Sequence, residues 1–211
     1  PFGGSDGPRS HERLMLRATS LLAVLDGTVC GAFDAGIQCE PYQDGPRSRG
    51  RRPAPSGTER SFGGPFVANG LSGGGANLCW RQDATWRCHG SNAGGQLSTA
   101  ALEWIDDPIT LPRSTIAVAV ASGRICTLSS SGGVECAGTG AERRGETGSA
   151  GAVRTTSVDL TGARAIATSG DVTCVVTGGG GVQCWGEGRR GALGDGQGLR
   201  RDVLTPVSDP Y

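Results

Sequence analysis

The side chains in this sequence best suited to chemistry are its eight cysteines, accompanied by two histidines, His11 and His89. Thiolates either ligate a metal or pair with one another, and spacing separates the two uses. Zinc sites place cysteines about two to four residues apart and complete the set with histidine or further cysteine. Here the cysteines fall as Cys30/Cys39, Cys79/Cys88, Cys126/Cys136 and Cys174/Cys184, each pair 9 or 10 residues wide. That spacing matches no metal motif, and the even count points to disulfides in an oxidising compartment. Neither metal nor cofactor is expected.

Other patterns resemble chemistry and are better explained otherwise. Gly70-Leu71-Ser72-Gly73-Gly74 has the form of a nucleophile elbow, which needs its serine on a tight strand-to-helix turn with histidine and acid partners. Leu71 belongs to a strand pattern and no helix follows, so a hydrolase using Ser72 is the least supported reading. Gly186-Glu187-Gly188-Arg189-Arg190-Gly191 has the G-x-G-x-x-G form, but that motif grips phosphate only between a strand and a helix. Asp195, between Gly194 and Gly196, and Asp106-Asp107, before Pro108, read as turn residues. His89 stands where the last copy of a repeat has Trp185, and His11 lies in a polar leader, residues 1–15.

The elements that must position these residues are repeats. The first cysteines of the pairs are 49, 47 and 48 residues apart and the second cysteines 49, 48 and 48, so four units of about 48 residues keep register, a period in the range of propeller blades. Eight residues before each first cysteine stand Leu22, Leu71, Val118 and Ile166; two before each second stand Ile37, Trp86, Val134 and Val182. Both columns are apolar and are expected to pack inward. The apolar runs are short, rich in alanine, valine, isoleucine and leucine, and bounded by glycine-containing turns, which reads as strands; Ile116 to Ala121 is the best of them.

Opposed residues of an antiparallel hairpin have a constant sum of residue numbers, so each pair predicts its own turn. Cys174 and Cys184 centre on Gly179, Cys126 and Cys136 on Ser131, and the other pairs between Asp34 and Ala35 and between Asp83 and Ala84. All four centres are turn-like. Each pair therefore sits directly across two neighbouring strands, about 4.5 to 5.5 Å apart at Cα, within reach of a disulfide. Such a bond closes a loop of about ten residues, worth about 2.5 to 3 kcal/mol in the loop-entropy model.

Composition narrows the partners. Twenty basic residues, all arginine, balance twenty acidic ones, so no global field favours nucleic acid or an anionic membrane. No apolar run reaches the roughly 18 residues of a membrane span. The segment from Arg47 to Pro65 is polar, rich in proline and glycine, and carries Arg49, Arg51 and Arg52, either a basic loop for an acidic partner or a solvated connection. Trp80 and Trp104 serve either as a contact surface or as packing between repeats. Pro206-Val207 matches Ser157-Val158 and Pro108-Ile109 as a lead into a following repeat, so the end of the chain either joins the first blade or belongs to a longer array.

The last copy, Thr173-Cys174-Val175-Val176, a glycine turn, Val182-Gln183-Cys184-Trp185-Gly186, then Gly191-Ala192-Leu193-Gly194-Asp195-Gly196 and Thr205-Pro206-Val207, resembles the repeat of the regulator of chromosome condensation family, in its cysteine-paired bacterial branch. The resemblance covers about 190 residues as four units, most specific in the last and weakest in the first, where Cys39-Glu40-Pro41 replaces Cys184-Trp185-Gly186. It implies an all-β fold, a β-propeller of four blades, each a four-stranded antiparallel sheet. The four could form a closed ring, an open arc or part of a larger ring. In this reading residues 16–211 form one repeat domain with blades at about 16–65, 66–112, 113–162 and 163–211.

Family functions include nucleotide exchange on a nuclear GTPase, ultraviolet sensing through clustered tryptophans, and inhibition of secreted β-lactamases. Fold alone transfers none of them. Paired cysteines disfavour a nuclear site, and the tryptophans here occupy different repeat positions, so the photoreceptor cluster has no counterpart. The expectation is a non-enzymatic scaffold, secreted or in the periplasm or cell envelope, that binds another protein through blade-connecting loops. The alternative is a carbohydrate or surface-polymer binder using Trp80, Trp104 and Tyr42.

Overall fold

The computed structural model describes residues 22–25, 28–33, 36–41, 60–63, 68–98, 102–138, 156–158, 160 and 162–207. They form four antiparallel sheets, each of four strands in sequence order. Blade 1 holds β1 (Leu22–Leu25), β2 (Thr28–Phe33), β3 (Gly36–Pro41) and β4 (Arg60–Gly63). Blade 2 holds β5 (Ala68–Gly74), β6 (Asn77–Gln82), β7 (Thr85–Ser91) and β8 (Trp104–Thr110). Blade 3 holds β9 (Thr115–Ala121), β10 (Arg124–Ser129), β11 (Val134–Gly138) and β12 (Thr156–Val158), and blade 4 holds β13 (Ala165–Ser169), β14 (Val172–Val176), β15 (Val182–Gly186) and β16 (Arg201–Pro206). The all-β propeller architecture implied by the repeat is the one observed.

Each cysteine pair bonds within one hairpin: Cys30–Cys39, Cys79–Cys88, Cys126–Cys136 and Cys174–Cys184, with Cα atoms 4.0 or 4.1 Å apart. In every blade the two cysteines face each other directly across the second and third strands. The hairpin turns of blades 3 and 4 repeat in detail. Ser129 in blade 3 donates from its amide to the Gly133 carbonyl at 2.8 Å and from its hydroxyl at 3.1 Å, and Thr177 in blade 4 makes the same two bonds to Gly181 at 2.8 and 3.1 Å. The β-hydroxyl three residues after the first cysteine thus closes the turn on which the pairing register depends.

A glycine two residues after the second cysteine recurs for a steric reason. Gly90 and Gly186 have φ of 124° and 113°, and a Cβ at either would collide with the carbonyl of Ala76 or Asp171 in the turn that leads into the neighbouring strand. Only glycine enters this left-handed region so close to another backbone without a large cost. Blade 1 has Pro41 at the equivalent place, opposite Thr28, which marks it as the divergent copy.

Because side chains alternate across a strand, each sheet has a cysteine-bearing face and an opposite face. The first packs on the next blade and the second on the previous one. Ala23, Cys30, Ile37 and Cys39 of blade 1 cluster with Leu71, Leu78 and Trp80 of blade 2. Cys79, Trp86 and Cys88 of blade 2 cluster with Val118, Val120 and Ile125 of blade 3. Cys126, Leu128, Val134 and Cys136 of blade 3 cluster with Val175, and with the half-buried Ile166, Trp185 and Leu204, of blade 4. Burying a side chain such as Leu128 contributes roughly 1.5 to 3 kcal/mol.

The inner strands follow one another as an arc, β1 on β5, β5 on β9 and β9 on β13, with no comparable packing of β13 on β1 among the described residues. This arrangement corrects one expectation. In the column two before the second cysteine, Ile37, Trp86 and Val134 are 0%, 5% and 1% exposed, whereas Val182 is 40% exposed. The pattern at Val182 is that of an inward residue, but no described element lies across its face. A second correction concerns Pro206-Val207. β16 pairs with β15, Cys184 opposite Thr205, so Pro206 closes its own blade, as Ile109 does in β8 and Val158 in β12.

Candidate binding surface

The residues that resembled catalytic motifs lie in strands and turns. Ser72 lies within β5 opposite Cys79, extended and away from any strand-to-helix turn. After Gly186 and Gly188 comes only a single 3₁₀ turn, Arg189–Gly191, interrupted at Arg190 with φ of 61°, which offers no row of amides to a phosphate. Asp195 accepts a 2.8 Å bond from Arg201 Nε and a 3.0 Å bond from the Gln197 amide, so it fixes a turn. Arg201 holds the Asp195 carboxyl below the usual carboxylate range, chiefly through that side-chain bond. Among the described residues no group of three or more histidine, cysteine, aspartate or glutamate side chains is placed to hold a metal.

The sequence candidates separate sharply. Trp80 directly follows Cys79, so it points to the opposite face of β6, toward blade 1, where it is 2% exposed and meets the His89 ring edge-on at 6.1 Å. It packs between blades and is not available as a contact surface. Trp104, at the start of the outermost strand β8, is 42% exposed, with Leu102 beside it also exposed. Arg49, Arg51 and Arg52, together with Tyr42, His11 and the leader 1–15, lie outside the described residues.

What sequence reasoning missed is the support beneath Trp104. Asn92 is buried at the end of β7. Its side-chain oxygen accepts from the amides of Leu97 at 2.9 Å and Ser98 at 3.0 Å, and its side-chain nitrogen donates to the carbonyls of Ser98 at 3.2 Å and Leu102 at 2.9 Å. The Asn92 amide itself donates to the Glu103 carbonyl at 2.7 Å. Gln96, also buried, accepts from the Gly94 amide at 2.9 Å and donates to Asn77 at 3.2 Å, while Asn77 donates to the Ser91 carbonyl at 2.6 Å. A buried amide network of this kind holds both ends of the β7–β8 connection without using charge. The only sequence signal was a polar stretch, Ser91-Asn92-Ala93-Gly94-Gly95-Gln96, which looks like any solvated turn.

A second polar anchor lies between blades 3 and 4. Arg124 is buried, with Nη1 3.5 Å from Thr173 Oγ1 and Nη2 3.6 Å from Asp171. Burial lowers its affinity for the proton and Asp171 opposes that. The contact links β10 of blade 3 to blade 4.

No family model matches the sequence, and no curated protein matches it. Solved structures do. The chain is similar to human WBSCR16, with a TM-score of 0.71, 16% identity, and 90% of this chain covering 53% of that one. Prp20p from Saccharomyces cerevisiae, the yeast RCC1, matches with a TM-score of 0.67 and 16% identity over 90% of this chain and 50% of its own. The fold is an RCC1-like β-propeller. A more distant likeness, TM-score 0.52 and 16% identity, links the same RCC1-like blades to the CRINKLY WD40 ectodomain of the Arabidopsis thaliana receptor kinase ACR4, covering 82% of this chain and 60% of that one. The chain spans about half the length of WBSCR16 and Prp20p.

Proposed function

We infer that this chain is a non-catalytic scaffold that binds another protein through its blade-connecting loops, in an oxidising compartment, secreted or in the cell envelope. The observation that carries the reading is the connection between β7 and β8, where buried Asn92, Gln96 and Asn77 fix the backbone beneath exposed Leu102 and Trp104. A large aromatic at the start of a strand whose backbone is already held is what an interface hot spot requires, because little ordering entropy remains to be lost on binding. The RCC1-like architecture supports it: solved neighbours include Prp20p bound to Kap60 and Prp20p studied for its binding to Gsp1p and histones. Four disulfides support the compartment, since cytosolic and nuclear thiols are kept reduced. The arginine-rich stretch with Arg49, Arg51 and Arg52 is a second contact region for an acidic part of the partner.

The test is retention of a partner from the source organism's secreted fraction by the immobilised, fully oxidised chain, compared with Trp104→Ala. Loss of about tenfold or more in affinity for the retained protein supports the reading. Binding untouched by Trp104→Ala moves the site away from this loop. Retention of glycans in place of a protein, lost with the same variant, establishes the carbohydrate alternative, which now rests on Trp104 without Trp80.

A further inference from the structure

The charge around Leu102 and Trp104 has one sign. From Leu102 to Thr110 the sequence carries Glu103, Asp106 and Asp107 and no basic residue, and all three acidic residues are exposed. The outermost strand of blade 4 makes the contrast. Gly186 faces Arg201 as Gly90 faces Ile105, so Arg200 occupies the place of Trp104, and Asp202 that of Asp106. There the charges are mixed, and Arg201 is bound to Asp195 at 2.8 Å. Although basic and acidic residues balance over the whole chain, the outer strand of blade 2 presents its aromatic ring in a negative local field.

That field selects what the ring can take. Ile105 is buried toward blade 3, among Val118 and Ile125, so Trp104 projects from the opposite face of β8, with Glu103 and Asp107 flanking it along the chain. An acidic partner is repelled, and a wholly apolar one removes water from the carboxylates without pairing them. A cation gains from both groups, because an indole face attracts positive charge within about 6 Å of its centre. Pro108 lacks an N–H and interrupts the open edge of β8, so the occupant is held by side chains and does not extend the sheet along it. We propose that the start of β8 docks a cationic segment of the protein partner, in which an arginine stacks on Trp104, Glu103 and Asp107 supply the opposite charge, and an apolar neighbour of that arginine covers Leu102. This rests on the reading of the β7–β8 connection as the contact surface and adds the chemistry of what it takes.

Isothermal titration of the oxidised chain with a short capped peptide of alternating arginine and leucine tests the proposal. Saturable binding is expected at low salt and weakens as salt is raised. Trp104→Ala lowers the affinity about tenfold. The double change Glu103→Gln with Asp107→Asn, which keeps the indole and the side-chain sizes, lowers it about threefold or more. The same peptide with glutamate in place of arginine does not bind. Should Trp104→Ala fail to fold, judged by free thiols after alkylation, the double variant carries the test, since both of its positions are exposed. No binding, equal binding of the glutamate peptide, or an affinity indifferent to the double change would each overturn the proposal. The two readings fail separately. A partner from the secreted fraction that is lost with Trp104→Ala, yet held undiminished by the double variant and not displaced by the arginine peptide, keeps this connection as the contact surface and removes the cationic segment. A partner still held by Trp104→Ala removes both.

Discussion

Blades 3 and 4 share a register, a disulfide, a hairpin turn and a glycine after the second cysteine, yet one is enclosed and the other is not. Val134 and Val182 occupy the same place in their repeats at 1% and 40% exposure, and Cys126 is buried where Cys174 is half-buried. The difference teaches that burial in a repeat array is a property of neighbours. The same strand sequence yields a core or a surface according to what is packed on its outer side.

Three measurements would break or sharpen this contrast. The largest effect is expected from placing a carboxylate in each position, measured by urea unfolding. Val134→Asp should cost about 4 kcal/mol or more, because it buries a charge among Leu128, Cys136 and Val175. Val182→Asp should stay within about 1 kcal/mol, since water reaches it. Equal losses would show that Val182 is enclosed in solution.

The disulfides come next. Replacing both Cys126 and Cys136 with alanine should destabilise by about 2 to 5 kcal/mol. Limited reduction followed by alkylation and peptide mapping should label Cys174 and Cys184 first, as Cys174 is half-buried while the other seven cysteines are buried. Simultaneous labelling of all four pairs would remove the distinction.

The smallest effect concerns the two connections that follow the third strand. In blade 2 this segment hangs on Asn92, Gln96 and Asn77, which do not titrate. In blade 4 Asp195 holds it through Arg201. The Asp195 carboxyl has a lowered pKa in the folded chain, so its stabilising contribution is complete above the ordinary aspartate value of about 3.9 and is lost as pH falls through the lowered one. Amide exchange at Gln197 should therefore accelerate in acid while Leu97 and Ser98 keep their protection, and Asp195→Asn should flatten the response at Gln197. Acid-insensitive exchange at Gln197 in the unaltered chain would show that the ion pair does not hold the turn.

The repeat, the strand class and the disulfide pairing were legible because cysteine spacing and hairpin symmetry are arithmetic on residue numbers. The position of Trp80 was implicit in the same arithmetic: cysteine faces the next blade, so the residue beside it must face the previous one. Val182 was misread because a column of apolar residues records what a repeat is built to contact and carries no information on whether the partner is present. The Asn92 network was hidden for another reason. An asparagine in a glycine-rich stretch has the same appearance whether it is solvated or accepts two amides in the interior, and only tertiary packing separates the two. Trp104 needed the outermost strand to be located before its exposure could be known.

No disulfide joins one blade to another; each closes a loop between cysteines separated by 9 or 10 residues within its own hairpin. A gene encoding such a chain can therefore gain, lose or exchange one whole repeat and never leave an orphan thiol behind. Covalent closure that travels with its unit makes the repeat a transferable cassette, and the divergence of blade 1, with Pro41 in place of the recurrent glycine but its own Cys30–Cys39 bond intact, fits a copy that has been free to drift while keeping that closure.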